Sequence, residues 1–494
     1  MNEVVKCLLC RREDKFRPNE IFCPICGQPK LFATPLLSSK LLSSKLSTAN
    51  SAKENALFAL KDTGSTGSSE ESLSSNSTLP SNTRLSKHTP LSSGIPSSPK
   101  THSSSNAPHT SNTPLSSGGL LSSKKPLSSP PPLITEILQT ARLSPGLSLE
   151  KFASFLPLQK IRPELSLGEG QTPLLPLKSI EETGRLLAKL ESANPTLSFK
   201  DRGSAVVVQK IMELGYKAIG TVSTGNMASS TAAYAARAGL RCVLLVKKGT
   251  SRAALLSSAI FNPLIIEVDG DYGQLFRESY SLGQEFGIYF ANSVDPLRIE
   301  GYKLTAFEIC LELGKAPDFV YLPISAGGHF LGLYKGFSEL AQAGYIEKMP
   351  RLIGVQAANC SPIATAFKNG QQTVTKIEPA ATIAHSISNP DPPAGNLVLK
   401  IVREHDGFLT AVSDEQMLRA QKDLSVKEGL FVQPESAATL AAYYDLRHRF
   451  QGLSVIIPTG QGLKATHQPE LDTSNYISTT LSRLRETFKA LYRQ

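Results

Sequence analysis

Short runs of Val, Ile and Leu recur through the last two thirds of the chain, at residues 218–222, 242–246, 264–268, 319–322, 352–355 and 455–458. Each is too short for a helix and apolar at nearly every position, the pattern of a strand buried on both faces. Longer segments with a single apolar stripe separate them. Strands and helices therefore alternate across a body at 134–470, which predicts an α/β fold with parallel-type sheets. Several runs stop at a glycine-bearing turn that opens onto a helix, and that is where such sheets bind ligands. The end of the chain, 471–494, reads as a C-terminal helix, amphipathic over 475–494.

Residues 34–133 have a different texture. Leu-Ser-Ser recurs at Leu37, Leu42, Leu73, Leu91, Leu115, Leu121 and Leu127, and Thr-Pro-Leu-Ser-Ser-Gly begins at both Thr89 and Thr113. The repeats keep no fixed period, so they do not build a solenoid. Ordering them would cost backbone entropy with little apolar area to offset it, and the segment reads as a disordered linker. The chain as a whole is 40% hydrophobic, yet it has no run long and apolar enough to span a membrane. Residues 1–7 lack a secretory signal, which points to the cytoplasm. Of the net charge of +10, residues 1–149 hold most, with 16 Lys or Arg against 9 Asp or Glu. The excess is scattered singly rather than gathered on one folded face, so no nucleic-acid partner is expected.

Four of the seven cysteines fall in the first 26 residues, as Cys7-x-x-Cys10 and Cys23-x-x-Cys26. Paired knuckles with a glycine after the second (Gly27) suit a tetrahedral thiolate zinc site, closed and structural. A disulfide is a poor alternative in the cytosol, and a redox dithiol needs only one pair. Residues 1–33 are thus expected to be a zinc-ribbon-like module. Cys242, Cys310 and Cys360 are isolated and read as small buried hydrophobes.

Four turns carry candidate chemistry. In Ser198-Phe199-Lys200-Asp201-Arg202-Gly203, a lysine stands at the start of an apolar helix. There the helix dipole disfavours the ammonium, and a lysine able to lose its proton is suited to a Schiff base. Asp201 and Arg202 read as braces for that turn. Ser223-Thr224-Gly225-Asn226 gathers hydroxyl and amide groups at a strand's carboxyl end, suited to a carboxylate and a cofactor oxygen. Ser325-Ala326-Gly327-Gly328-His329 offers small residues and a helix start to a phosphate. Pro458-Thr459-Gly460-Gln461-Gly462-Leu463-Lys464 follows the final strand. His385 and His405 read as structural or surface residues, and Lys247-Lys248 as solvated.

The order of these turns resembles the threonine synthases, within the fold-type-II family of pyridoxal-phosphate enzymes. The resemblance spans about 165–464 and includes Leu167-Gly168-Glu169-Gly170-Gln171-Thr172-Pro173-Leu174, Asn292 to Gly301 (with Arg298-Ile299-Glu300-Gly301), Thr382-Ile383-Ala384 and Pro434-Glu435-Ser436-Ala437-Ala438. It implies a two-domain body with a smaller subdomain at about 205–310, and a homodimer. It implies that Lys200 carries pyridoxal 5'-phosphate and shuttles protons, while Asn226 meets the cofactor's phenolic oxygen. The backbone of Ser325, Ala326, Gly327, Gly328 and His329 would hold the phosphate, and Thr459 would face the pyridine nitrogen. Ser223 and Thr224 would take the substrate's carboxylate, and Arg298 and Lys303 its phosphate.

The implied reaction is conversion of O-phosphohomoserine and water to threonine and phosphate, with carbanion charge spread into the cofactor. Two positions depart from the pattern. The phosphate turn usually reads Gly-Asn-Ala-Gly-Asn, and Tyr302 stands where glutamine is more common. The alternatives are another enzyme of this fold, such as a threonine or serine dehydratase or a β-replacing synthase, and a catalytically silent regulator. The cations expected for a substrate phosphate argue against the first. Intact Lys200, Asn226 and Thr459 argue against the second.

Overall fold

The computed structural model describes residues 3–33, 138, 140, 146–378, 381–465 and 477–492. The Ser/Leu/Pro-rich stretch at 34–133 lies outside these residues. The first strands, β1 (Val4–Cys7), β2 (Glu13–Lys15) and β3 (Lys30–Phe32), form an antiparallel sheet in the order β2-β1-β3. This small sheet has little core of its own, and it leans on the body through specific contacts.

The body is α/β and carries two further sheets. The smaller consists of β6 (Ala218–Val222), β7 (Arg241–Lys247), β8 (Leu264–Val268) and β9 (Tyr289–Phe290), all parallel, in the order β8-β7-β6-β9. The larger combines β4 (Leu174–Pro176), β5 (Leu186–Lys189), β10 (Phe319–Pro323), β11 (Arg351–Ala357), β12 (Phe408–Val412) and β13 (Ser454–Ile456), in the order β12-β11-β10-β13-β5-β4. Its central strand β10 is buried at every position, as a parallel strand covered on both faces must be.

The structure departs from the expectation in three places. The large sheet is mixed rather than wholly parallel, because β4 runs antiparallel to β5 at the edge. The last strand ends at Ile456, leaving Pro458 in the turn that follows. The terminal helix is shorter than expected: among the described residues it is a 3-10 turn at Leu481–Arg483 followed by Leu484–Tyr492. Its apolar residues Leu481, Leu484 and Leu491 are exposed.

Helix Lys200–Glu213 is buried from Asp201 to Ile211 and packs on helix Pro296–Tyr302. The approach is so close that a Cβ on Gly301 would stand 2.0 Å from the Arg202 carbonyl oxygen. Glycine is required there. The cysteine module touches both sheets' surroundings. Asn19 donates to the Ile288 carbonyl (3.1 Å) and accepts from the Phe290 amide (3.0 Å) at β9. Phe22 packs edge-on to Phe276 and Tyr280 of helix Tyr272–Phe286. On the other side, Gln28 accepts from the Leu397 amide (3.2 Å), and Lys400 donates to the carbonyls of Leu8 and Leu9.

Candidate active site

The lysine turn is wound tightly before its helix begins. Leu197, with φ +63°, occupies the left-handed region that a branched side chain ordinarily avoids. Neighbouring bonds hold it there. Ser198 pairs with Gly460 as an isolated bridge, and the Phe199 amide donates to the Thr459 carbonyl at 3.0 Å. Asp201 accepts from the Thr196 amide (2.6 Å) and hydroxyl (2.5 Å), while burial pushes its carboxyl up to about 6. Arg202, fully buried, donates to Glu191 (2.6 Å) and Glu308 (2.7 Å). Both residues brace the lysine, as expected.

Lys200 is the first residue of that helix and keeps some solvent exposure as a whole. Its amine lies over protein rings, 4.2 Å from the Phe199 centroid and 5.8 Å from that of Tyr302. Burial, and next the positive charge of Arg298, bring its pKa down to about 7. An ordinary lysine keeps its proton to about pH 10.4. Capture of an aldehyde by Lys200 is therefore expected to rise through pH 7 and level off above about pH 8, where an ordinary lysine would still be gaining rate. Borohydride trapping at successive pH values measures this.

The other three turns close on the same place. Thr459, buried, pairs its hydroxyl with that of Ser436 at 3.1 Å. The Gly460 amide donates to Ser436 Oγ (2.8 Å), and its carbonyl accepts from the Gln433 amide. Asn226 opens helix Asn226–Ala238 and donates to Gln433 Oε1 at 2.7 Å, which ties the second turn to the fourth. Ser223 accepts from the Gly225 amide at 3.4 Å, and Ser223 and Thr224 remain partly exposed.

The third turn, Ser325 to His329, leads into helix Gly328–Gln342. Gly327 adopts φ +97°, and a Cβ on Gly328 would stand 2.0 Å from the Ser293 carbonyl oxygen. The Ala326 carbonyl accepts from the Ala394 amide. The first amides of this fifteen-residue helix have no acceptor within it, so the turn suits an anion. His329 stacks on Phe199 with centroids 4.0 Å apart and planes at 24°, which joins this turn to the lysine's.

Two candidates are tied elsewhere. Arg298 donates to the Ala291 carbonyl (2.9 Å), Ser204 Oγ (2.9 Å) and Thr231 Oγ1 (2.6 Å). Lys303 spends its ammonium on the Phe155 carbonyl (2.6 Å), Glu300 (2.5 Å) and Glu339. Both are fully buried and serve the packing of helix Pro296–Tyr302. Three residues were given no role from sequence, although Ser436 and Lys464 lie in motifs. Gln433 and Ser436 hold two turns together; Ser436 lies in the Pro434-to-Ala438 motif and Gln433 immediately before it. Lys464 donates to the Thr196 carbonyl (2.7 Å) and Ser229 Oγ (3.2 Å), and burial brings its pKa down to about 8.

Apart from this site, the sulfur atoms of Cys7, Cys10, Cys23 and Cys26 all lie within 4.8 Å of one another. All four are free thiols, as are the buried Cys242, Cys310 and Cys360. Four sulfurs at one point form a donor set for a soft metal ion.

Comparison with known proteins matches residues 165–460 to a family model described as pyridoxal-phosphate dependent enzyme. The chain is 37% identical over 325 residues to a threonine synthase of Methanocaldococcus jannaschii, covering 64% of this chain and 80% of that protein. It is 35% identical over 357 residues to a threonine synthase of a Bacillus species, covering 69% and 98%. Among solved structures, a T.th. threonine deaminase superposes with a TM-score of 0.52 at 22% identity, covering 68% of this chain and 99% of that one. Maize serine racemase gives 0.52 at 18% identity, covering 73% and 98%. These two likenesses speak for the fold alone.

Proposed function

Because the chain belongs to the pyridoxal-phosphate dependent enzyme family, we propose that it acts as a threonine synthase, converting O-phosphohomoserine and water to threonine and phosphate. The observation that carries this reading is the linking of the other three turns to one another and to the turn that bears Lys200, in a chain whose relatives include threonine synthases.

The residues present fit pyridoxal phosphate. An amine that gives up its proton near neutrality suits its aldehyde, and a glycine turn too close to Ser293 for any side chain suits its phosphate. Asn226 would meet its phenolic oxygen. Thr459, fixed by Ser436, would face the ring nitrogen. When bound, the cofactor supplies an electron sink for negative charge at carbons near the substrate's amino group. Thr459 is a neutral hydroxyl and cannot hold a proton on the ring nitrogen as a carboxylate would, so that sink is tempered. Lys200 Nζ takes and returns protons at substrate carbon, a role matched by a pKa near the working pH. Ser223 and Thr224, partly exposed at the end of β6, would orient the substrate's carboxylate.

O-Phosphohomoserine and L-threonine, offered separately to the cofactor-loaded protein, distinguish the possible reactions. Threonine and phosphate from the first, with no oxo acid from the second, are expected. Oxo acid from L-threonine would make it a dehydratase.

The four-cysteine cluster is read as a structural zinc site in a zinc-ribbon-like module. The contacts of Asn19, Phe22 and Gln28 make the module a brace between β9 and helix Gly395–Glu404. Chelating the metal is expected to lower the melting temperature and to speed amide exchange at Phe290 and Leu397. Unchanged exchange at both amides would refute the brace. Among the described residues no helix is long and apolar enough to cross a membrane. A cytoplasmic homodimer, and a linker at 34–133, belong to the same proposal.

A further inference from the structure

Polar atoms buried without a protein partner are costly, so a group of them beside a reactive amine points to a ligand. Four such atoms lie on the residues around Lys200: Ser198 Oγ, Tyr302 Oη, and Nδ1 and Nε2 of His329. Ser198 and Tyr302 are fully buried, and His329 is 6% exposed. The rings form one cluster. His329 lies flat on Phe199 and edge-on to Tyr302 at 5.9 Å, and Phe199 meets Tyr302 at 4.9 Å. Lys200 Nζ faces two of these rings.

Neighbouring glycines make room for this arrangement. A Cβ on Gly203 would come within 2.6 Å of Tyr302 Cε1, and one on Gly332 within 2.5 Å of Tyr302 Cβ. Tyr302 and His329 are also the places where the sequence leaves the family's usual pattern, and in the fold they touch. Burial, then the charges of Lys200 and Arg202, hold the His329 imidazole neutral, so it offers one N–H donor and one acceptor. Arg298 stands near enough to the Tyr302 hydroxyl to favour its ionised form, although burial outweighs this and the two do not meet in hydrogen-bond geometry.

We propose that His329 and Tyr302 form one recognition unit for the substrate's phosphate, donating hydrogen bonds from neutral groups where cations were expected. The inference rests on the threonine synthase reading. Lys303 spends its charge on Glu300 and Glu339, and Arg298 its donors on Ala291, Ser204 and Thr231. The charge of Arg298 nevertheless remains behind the unit and favours an anion in front of it. The donors around Lys200 left without a protein partner are Ser198 Oγ, the phenol and the imidazole, and the last two sit on rings that touch.

The test uses protein already loaded with cofactor, so that the cofactor's own phosphate site is filled, and inorganic phosphate as the probe. Tyr302→Phe removes only the hydroxyl, and His329→Phe keeps an aromatic ring in the stack, slightly larger, without polar atoms. Calorimetry is expected to show each variant binding phosphate about tenfold or more weakly than wild type. Cofactor affinity, read from visible absorption, should stay within about twofold, which also reports an intact fold. The KM for O-phosphohomoserine should rise more than kcat falls. Equal phosphate affinity in wild type and both variants would overturn the unit. So would loss of cofactor affinity in step with phosphate, or a wild-type protein that binds no phosphate. Failure of wild type to release phosphate from O-phosphohomoserine would sink the enzymatic reading instead, and the phosphate titration remains readable in that case.

Discussion

Replacing Lys200 with alanine is expected to abolish turnover, by at least about ten-thousandfold, because one amine serves both as cofactor attachment and as proton carrier. The fold should survive. Among the described residues Lys200 is not a partner in the ion pairs around it, and its amine lies over ring faces. Stability should even rise near neutral pH. The amine's pKa in the folded protein, about 7, lies below its value in the unfolded chain, so between pH 7 and about 10.4 the unfolded chain holds a proton that the folded one has lost. That penalty disappears with the side chain. Thermal melting of Lys200→Ala beside wild type at pH 8, paired with a turnover assay, checks both halves. A variant that is dead because it is unfolded would not support the account.

Arg202→Met should have the opposite character, with a large loss of stability. Arg202 is buried among Glu191 and Glu308, and Glu308 also takes Lys189 (3.0 Å) and Ser148 Oγ (2.8 Å). Removing one partner of a buried pair costs about 3–5 kcal/mol, because the carboxylates left behind have no water to turn to. Burial alone would raise the Glu308 carboxyl, but Arg202 and Lys189 outweigh it and hold it well below the usual carboxylate range. A depressed carboxylate stabilises the fold above its unfolded pKa, about 4.3, and loses that contribution as pH falls below it. Wild type should therefore weaken in urea as pH drops below about 4, and Arg202→Met, in which burial is no longer outweighed by the arginine at Glu308, should lose less stability over that range. Identical urea midpoints at pH 7 would show that the pair contributes nothing.

Much of the fold could be read from the apolar runs, since β6 and β8 span the residues expected of them. Other strands hid behind charge. β5 ends in Lys189, which looks like a surface residue until Glu308, far along the chain, is seen beside it. β12 mixes Thr and Ala into its run and carries a half-exposed face. The four turns stood out because glycine and hydroxyl residues at strand ends have few other uses. Their convergence was implied by the family resemblance alone and not by the residues themselves, because it depends on Gln433 reaching Asn226 and on His329 reaching Phe199.

Arg298 and Lys303 show the limit from the other side. A cation's place in a motif does not tell which way it faces, and both face inward. The docking of the cysteine module was equally hidden, resting on Asn19 and Phe22, which sit between the knuckles and belong to no motif.

Turnover of O-phosphohomoserine in water carrying heavy oxygen tests the central claim most directly. A threonine synthase breaks the substrate's carbon–oxygen bond and adds water at the neighbouring carbon. Label is therefore expected in the hydroxyl of threonine and none in the phosphate, with one phosphate released per threonine formed. Label in the phosphate with homoserine as product, or no reaction by the fully loaded protein, would contradict that claim.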